Sequence, residues 1–312
     1  KAIDSSKNKL NGSISIGGQE HYYLEGQVAL AIPTEDNEMV VHSSTQNPTE
    51  VQHLVAHVLD VPQNAIEVIT RRMGGGFGGK ETDSSQLACV CAIFAKQSKL
   101  PVKARLSRKD DMLMTGKRHD FKADYKVGYS DDGKILGIEI DLAARCGYSL
   151  DLSKAIVSRA LFHADNTYFL PNATFRGFLC KTNTASNTAF RGFGGPQGML
   201  AIENIIEEIA MNIGVDALEI RKLNYYQKDT NNVTPYDQVV EDNIINELSS
   251  ELIDDSNYLV RRESIKKFNK TSKYLKKGLA FSPVKFGISF TTQLLNQAGA
   301  LVNVYKDGSI YI

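Results

Sequence analysis

Residues 71–81 read RRMGGGFGGKE, and their setting decides how the fold is read. The run over 65–70 in front of them is apolar and β-branched, as a strand requires. The run over 84–97 behind them carries helical spacing and leads to another strand over 102–106, so the order is a βαβ signature. Gly74, Gly76 and Gly79 satisfy G-x-G-x-x-G, the template in which glycines let the backbone approach a pyrophosphate at a helix N-terminus. The rest of that template is missing. The strand ends in Thr70, Arg71 and Arg72 instead of an apolar run, and Asp110 lies too far along to be the acidic ribose contact expected about 20 positions on. A nicotinamide-binding dehydrogenase built on this loop is therefore the lesser reading.

A second loop shifts the balance. Gly192-Phe193-Gly194-Gly195 repeats Gly76-Phe77-Gly78-Gly79, and each leads into a helix, so two anion-binding helix starts can converge. A phenylalanine between glycines beside a helix start is poorly placed for a core and well placed to wall a pocket or stack on a planar ring. The second of these helices opens at Pro196 and stops at Gly214, with Met199, Ile202, Ile206, Ile209 and Ile213 on one face; Asp216 caps the next, which runs to about Asn224.

Towards the N-terminus, Asn47 as N-cap, Pro48 and Glu50 open a helix with an apolar stripe of Val51, Leu54, Val55, Val58 and Leu59, closed by Pro62; strands are expected over 13–16 and 22–32. Towards the C-terminus an irregular strand region spans 175–190. Residues 229–240 read as a linker, and charged helices follow to about Lys273. Strands over 301–305 and 309–312 are joined by an Asp307-Gly308 turn as a hairpin. The last of these is apolar with nothing after it, so the chain is expected to continue beyond Ile312 and its active site to be incomplete. Domain limits are set at 1–228, 229–275 and 276–312.

Composition narrows the partners. Among 312 residues Lys plus Arg and Asp plus Glu are each 36, which gives no electrostatic case for nucleic acid or an anionic membrane, so a small ligand is expected. No apolar run reaches the roughly 18 residues of a membrane span, and no signal-peptide layout is present, so the expected address is cytoplasmic. Cys89, Cys91, Cys146 and Cys180 are scattered without iron–sulfur spacing and read as buried thiols. His53 and His57 are four apart, a metal-ligand spacing, but lie opposite the apolar stripe with no third partner and read as a solvated face.

STQNP (44–48), RMGGGFGGKE (72–81), RALFHADNTY (159–168), LCKTNTASNTAFRGFGGPQG (179–198) and KFGISF (285–290) resemble, in order, the molybdenum hydroxylase family of xanthine dehydrogenases and aldehyde oxidases. The resemblance runs from about residue 17 to 224 and resumes from about 276. It implies an α+β, mixed α/β fold of twisted sheets flanked by helices, a large molybdopterin-binding domain and the start of a second.

It also implies residue roles. Gln46, Phe77, Gly78 and Arg191 match the residues that hold molybdopterin, with Gln46 and Phe77 near molybdenum and no protein atom ligating it. Phe193 and Phe290 match two aromatics that sandwich the substrate ring. Glu81 and Arg159 match the catalytic and substrate-binding pair found in purine hydroxylases and generally replaced in aldehyde oxidases. The apolar flanks of Arg159 predict that it is partly buried, and a buried charge needs a partner. His163 matches the ALFH run and is given no chemical role. The reaction implied oxidises hypoxanthine to xanthine and xanthine to urate with oxygen from water, an aldehyde oxidase-type hydroxylase being the alternative. Electrons would pass to 2Fe-2S clusters, FAD and NAD in other domains or subunits of a homodimer or heteromer. The general base would be a glutamate downstream of this sequence, so this fragment alone is expected to be inactive.

Overall fold

The computed structural model describes residues 1–312, apart from the side chain at position 295. In chain order come α1 (Ala2–Ser5), β1 (Asn8–Ile16), β2 (Val28–Pro33), β3 (Met39–Ser43), α2 (Pro48–Leu59), β4 (Ile66–Ile69), α3 (Ser84–Ser98) and β5 (Val102–Arg105). Next are α4 (Arg108–Met114), β6 (Phe121–Tyr129), β7 (Ile135–Gly147), α5 (Ser153–Phe162), β8 (Ala173–Lys181) and α6 (Gly195–Ile213). The remainder is α7 (Ala217–Asn224), α8 (Ile245–Asp255), α9 (Tyr258–Thr271) and the hairpin of β9 (Asn303–Val304) and β10 (Ile310–Tyr311). The architecture is mixed α and β, as expected.

One sheet has the order β4-β3-β2-β5, with β3 and β4 parallel and β2 antiparallel to both β3 and β5. The close βαβ unit is therefore β3–α2–β4. The signature read over 65–106 is real in sequence but spread in space, because β4 and β5 occupy opposite edges and α3 crosses behind the sheet between them. A mixed sheet of this order is not the continuous parallel sheet that a nicotinamide-binding dehydrogenase requires.

Small residues set the spacing of this half. Ala88, Cys91, Ala92 and Ala95 form one buried face of α3 and pack on Ala29 and Ala31 of β2, which lets helix and sheet approach closely. The α2 start follows its sequence: Asn47 accepts from the Glu50 N–H at 3.2 Å and donates its amide to the Glu50 carboxylate at 2.9 Å. Its stripe is narrower than expected. Val51, Val55, Ala56 and Leu59 are buried, whereas Leu54 and Val58 stay 38% and 44% exposed.

The other sheet, β1-β6-β7-β8, is antiparallel except for the β7–β8 pair, which α5 connects. Ile138, Ile140 and Leu142 of β7 meet Ile202, Ile205, Ile206 and Ile209 of α6 in the larger core. Here the sequence reading was incomplete. It assigned neither β6, β7, α4 nor α5, although Phe121, Ala123, Tyr125, Val127 and Tyr129 alternate strictly and are all buried.

Residues 22–27 are not strand. The carboxylate of Asp111 accepts from the Tyr23 hydroxyl (2.6 Å) and the Gln27 N–H (2.8 Å), drawing these two residues inward while Tyr22 and Leu24 stay exposed, so the stretch is a loop instead of a ladder. Residues 229–275 do more than link. Leu218, Ile253, Tyr258 and Phe281 form a small core of their own, and Asp216, which caps α7 through the Leu218 N–H, pairs with Arg262 of α9 at 2.7 Å. All four cysteines are free; Cys91 and Cys146 are buried as read, but Cys180 is exposed on the edge strand β8. Among the described residues no helix is long and apolar enough to cross a membrane, and no three His, Cys, Asp or Glu side chains form a metal-binding group.

Candidate cofactor and substrate site

The two glycine loops share one backbone conformation at their centres. Phe77 and Gly78 have φ of 55° and 101°, and Phe193 and Gly194 have φ of 50° and 97°. A phenylalanine in the left-handed region costs on the order of 1–2 kcal/mol and persists only where its surroundings fix it. They do so here. A Cβ on Gly78 would stand 2.6 Å from the Ala189 carbonyl oxygen, and the Arg191 N–H donates to the Phe77 carbonyl at 2.9 Å, so the loops are in backbone contact. His21 bridges them further, with Nε2 2.6 Å from the Ala189 carbonyl and its ring 4.8 Å from that of Phe190.

The 74–80 loop is held at both ends by one carboxylate. Glu25 Oε2 accepts from the Gly74 N–H at 2.9 Å and from Lys80 Nζ at 3.0 Å, and Lys80 is wholly buried. Burial is the largest influence on Glu25 and acts to raise its pKa, but hydrogen bonds from Ser44, Gly74 and Lys80 outweigh it and hold the group down to about 2. Gln46 fixes the middle of the loop: its side-chain oxygen accepts from the Gly78 N–H at 2.8 Å and the Lys80 N–H at 3.3 Å. A Cβ on Gly76 would fall 2.5 Å from that oxygen, so glycine is required for the contact. Glu25, Lys80 and His21 were missed in the sequence reading. A lysine next to a glycine loop carries no signal of burial until its partner 55 residues away is known.

On the opposite side, Arg159 is 5% exposed in α5. Its partners are backbone: Nη1 donates to the Gly287 carbonyl and Nη2 to that of Ser289, while Nε has no acceptor among the described residues. The guanidinium lies 5.9 Å from the Phe193 ring centroid and 5.4 Å from that of Phe286. Phe193 and Phe290 are brought together, with ring centroids 5.8 Å apart at 51°. A planar ring between them needs about 7 Å, two contact distances of ~3.5 Å, so entry requires Phe290 to shift outward.

Glu81 is half-buried and forms no ion pair with Arg159. Its surroundings are acidic. Burial first, then the charges of Asp151 and Glu50, push its pKa up to about 7, so acid and carboxylate forms coexist at neutral pH. Asp83 is likewise raised to about 7, chiefly by burial, with the Gly116 N–H at 2.9 Å opposing it. A carboxyl raised on folding contributes stability that is complete below its unfolded value of 3.8 and is lost as pH rises through about 7. Asp83→Asn, neutral at every pH and still able to accept from Gly116, should therefore melt higher than the parent at pH 8, by about 1–2 kcal/mol, and nearly with it at pH 4. Equal shifts at both pH values would refute the charge argument.

Comparison with known proteins places this arrangement. The molybdopterin cofactor-binding domain family matches residues 1–225, and a second family of the same description matches 251–312. The chain belongs to the molybdopterin cofactor-binding domain family. Over its whole length it is 46% identical to a xanthine dehydrogenase of Dictyostelium discoideum, 46% to a xanthine dehydrogenase/oxidase of Gallus gallus and 45% to a nicotinate hydroxylase of Emericella nidulans. It spans about a quarter of those proteins, 23% of each. Among solved structures, the aldehyde oxidoreductase of Desulfovibrio gigas superposes with a TM-score of 0.74 at 25% identity, over 88% of this chain and 29% of that one. The CO dehydrogenase of Oligotropha carboxidovorans gives 0.79 at 20% identity, over 86% and 34%, a likeness of fold alone.

The residues of this molybdopterin-binding domain suit an anionic, oxygen-rich group. With its oxygen turned inward, Gln46 has its amide N–H groups left to donate. The N–H groups of Gly76 and Phe77 and the exposed guanidinium of Arg191 take no protein acceptor among the described residues. Phe77 itself is 48% exposed, with its ring edge beside Gly75. The set is one of donors and a cation, with no carboxylate hydrogen-bonded into it.

Proposed function

We propose that this chain forms the molybdopterin-binding part of a purine hydroxylase that oxidises hypoxanthine to xanthine and xanthine to urate, with oxygen from water. Electrons would leave through 2Fe-2S clusters to FAD and NAD in other domains or subunits of a cytoplasmic enzyme, itself a homodimer or heteromer. Residues 1–228 would form the first molybdopterin-binding domain, 229–275 a connecting segment and 276–312 the beginning of a second.

The observation that carries the reading is a buried guanidinium, Arg159, beside the Phe193 ring, which itself lies 5.8 Å from the Phe290 ring. Molybdopterin, when bound, supplies the two-electron redox centre, held by Gln46, Phe77, Gly78 and Arg191. The chain's own residues would do the recognition. Phe193 and Phe290 hold the ring plane. Glu81, balanced between acid and carboxylate near pH 7, can donate to or accept from the amide edge of a purine. Arg159 supports negative charge that develops on a ring oxygen.

The nicotinate hydroxylase relative supports a second reading, a carboxylated pyridine with its carboxylate on Arg159. The presence of both Glu81 and Arg159, a pair that the family resemblance ties to purine hydroxylases and finds generally replaced in aldehyde oxidases, speaks against an aldehyde-type hydroxylase. The test is a substrate panel with the full-length protein: kcat/KM for hypoxanthine should exceed those for nicotinate and a simple aldehyde by at least about a hundredfold. A preference for nicotinate or aldehyde would overturn the purine reading.

A further inference from the structure

We propose that His163 is a positioning residue: through the Gly287 amide it sets the place of Phe290 and of the Arg159 guanidinium, and with them the width of the substrate slot. The inference rests on the purine-slot reading above.

Residues 283–290 belong to no helix or strand, so something other than a ladder must hold Phe290 against Phe193. The contacts come from the end of α5, from the turn after it and from Asn296, whose side chain accepts from the Phe290 N–H at 2.7 Å and donates to the Phe290 carbonyl at 2.9 Å. Asn166 donates to the Pro283 carbonyl at 2.9 Å and accepts from the Lys285 N–H at 3.0 Å, and the Lys285 ammonium pairs with the buried carboxylate of Asp165. On the α5 side, Gly287 is gripped on both sides of its backbone. Its N–H donates to His163 Nε2 at 3.0 Å, and its carbonyl accepts from Arg159 Nη1. His163 Nδ1 in turn lies 2.8 Å from the Arg159 carbonyl, which closes a ring of three hydrogen bonds between α5 and the segment.

The partners fix the tautomer. A carbonyl only accepts and an amide N–H only donates, so the proton sits on Nδ1 and Nε2 offers its lone pair. The imidazole is 4% exposed, and its ring lies 4.8 Å from that of Phe286, the residue before Gly287. Burial first, then the charges of Arg159 and Lys285, lowers its pKa and favours the neutral ring; the Arg159 carbonyl works the other way, and Gly195 of α6 packs beside the ring. No other acceptor is bonded to the Gly287 N–H, so removing Nε2 loosens the segment three residues before Phe290 without touching either ring, while Arg159 and Asn296 keep their own bonds to it.

Two variants of the full-length protein separate this role from a general need for bulk. In His163→Asn the side-chain amide can still donate to the Arg159 carbonyl but cannot reach Gly287. In His163→Gln the longer amide can present its oxygen to the Gly287 N–H. Hydrogen exchange of residues 286–290 should be at least about tenfold faster in His163→Asn and near wild type in His163→Gln. In step with it, the KM for hypoxanthine should rise about tenfold in the Asn variant, with kcat changed less, and the Gln variant should recover it. Unchanged exchange in His163→Asn would overturn the proposal. So would faster exchange with an unmoved KM in an enzyme whose wild type does oxidise purines. If the wild type fails to oxidise purines, the functional reading fails, and the exchange experiment still decides whether His163 holds the segment.

Discussion

Gly194→Ala should destabilise the protein by about 3 kcal/mol or more, the sum of a left-handed backbone penalty and a steric one. Gly194 has φ of 97°, and a Cβ there would lie 2.0 Å from the Ile156 carbonyl oxygen and 3.2 Å from the Ala160 nitrogen. Both are backbone atoms of α5, which cannot yield by a rotamer change. One turn on, a Cβ at Gly198 would stand 2.1 Å from the Ala160 carbonyl, so α5 and α6 cross with their backbones in contact through two glycines four apart. Alanine at 194 must push α5 away, and α5 carries Arg159 and His163. Gly214→Ala is the control: φ is 82° but nothing lies within 4 Å of its Cβ, so the backbone penalty of about 1 kcal/mol stands alone. Denaturant unfolding of the two variants measures the difference; equal losses would mean that the helix crossing tolerates a methyl group.

The second large effect concerns recognition. In the full-length enzyme, Glu81→Val should lower kcat/KM for hypoxanthine by at least about a hundredfold, the scale of a lost charged contact in a desolvated site, and leave turnover of a simple aldehyde within a few-fold. Glu81 makes no side-chain hydrogen bond to the protein, so its removal leaves nothing else unpaired. Arg159→Met should lower purine turnover as much but be less selective. The guanidinium also caps the Gly287 and Ser289 carbonyls, and without it the segment carrying Phe290 loses two donors. A moderate loss on aldehydes therefore belongs to the arginine variant alone. Equal losses on both substrate classes for Glu81→Val would count against its role in recognition.

Much of this arrangement could be read from sequence because it is local. Asn47 with Pro48, Pro196 with Gly214, and Asp216 each mark a helix end through chemistry within four residues, and each helix lies where those marks put it. The paired GFGG loops are visible as a repeat, and their central Phe-Gly pairs share one backbone conformation, although Gly192 has φ of 97° and Gly76 is not left-handed. What was not legible is non-local. Placing β4 and β5 at opposite edges depends on β2 and β3 filling the space between them, which no window around 65–106 contains. That Arg159 would find its partners at Gly287 and Ser289, instead of at a carboxylate, depends on a segment more than 120 residues away. β6 and β7 belong with the local features: the alternation of buried residues along Phe121–Tyr129 and Ile135–Gly147 lies within each strand's own sequence.

The carboxylate of Glu25, gripping the glycine loop at Gly74 and again at Lys80, has a consequence for affinity. Glycine surrenders more conformational freedom on ordering than any other residue, and a loop rich in it would normally make a ligand bear that loss. With both ends pinned to one carboxylate, and the middle pinned by Gln46, the ordering cost is met when the chain folds. Binding then begins from a preorganised loop, so the interaction energy of an incoming anion goes into holding it and not into shaping its site.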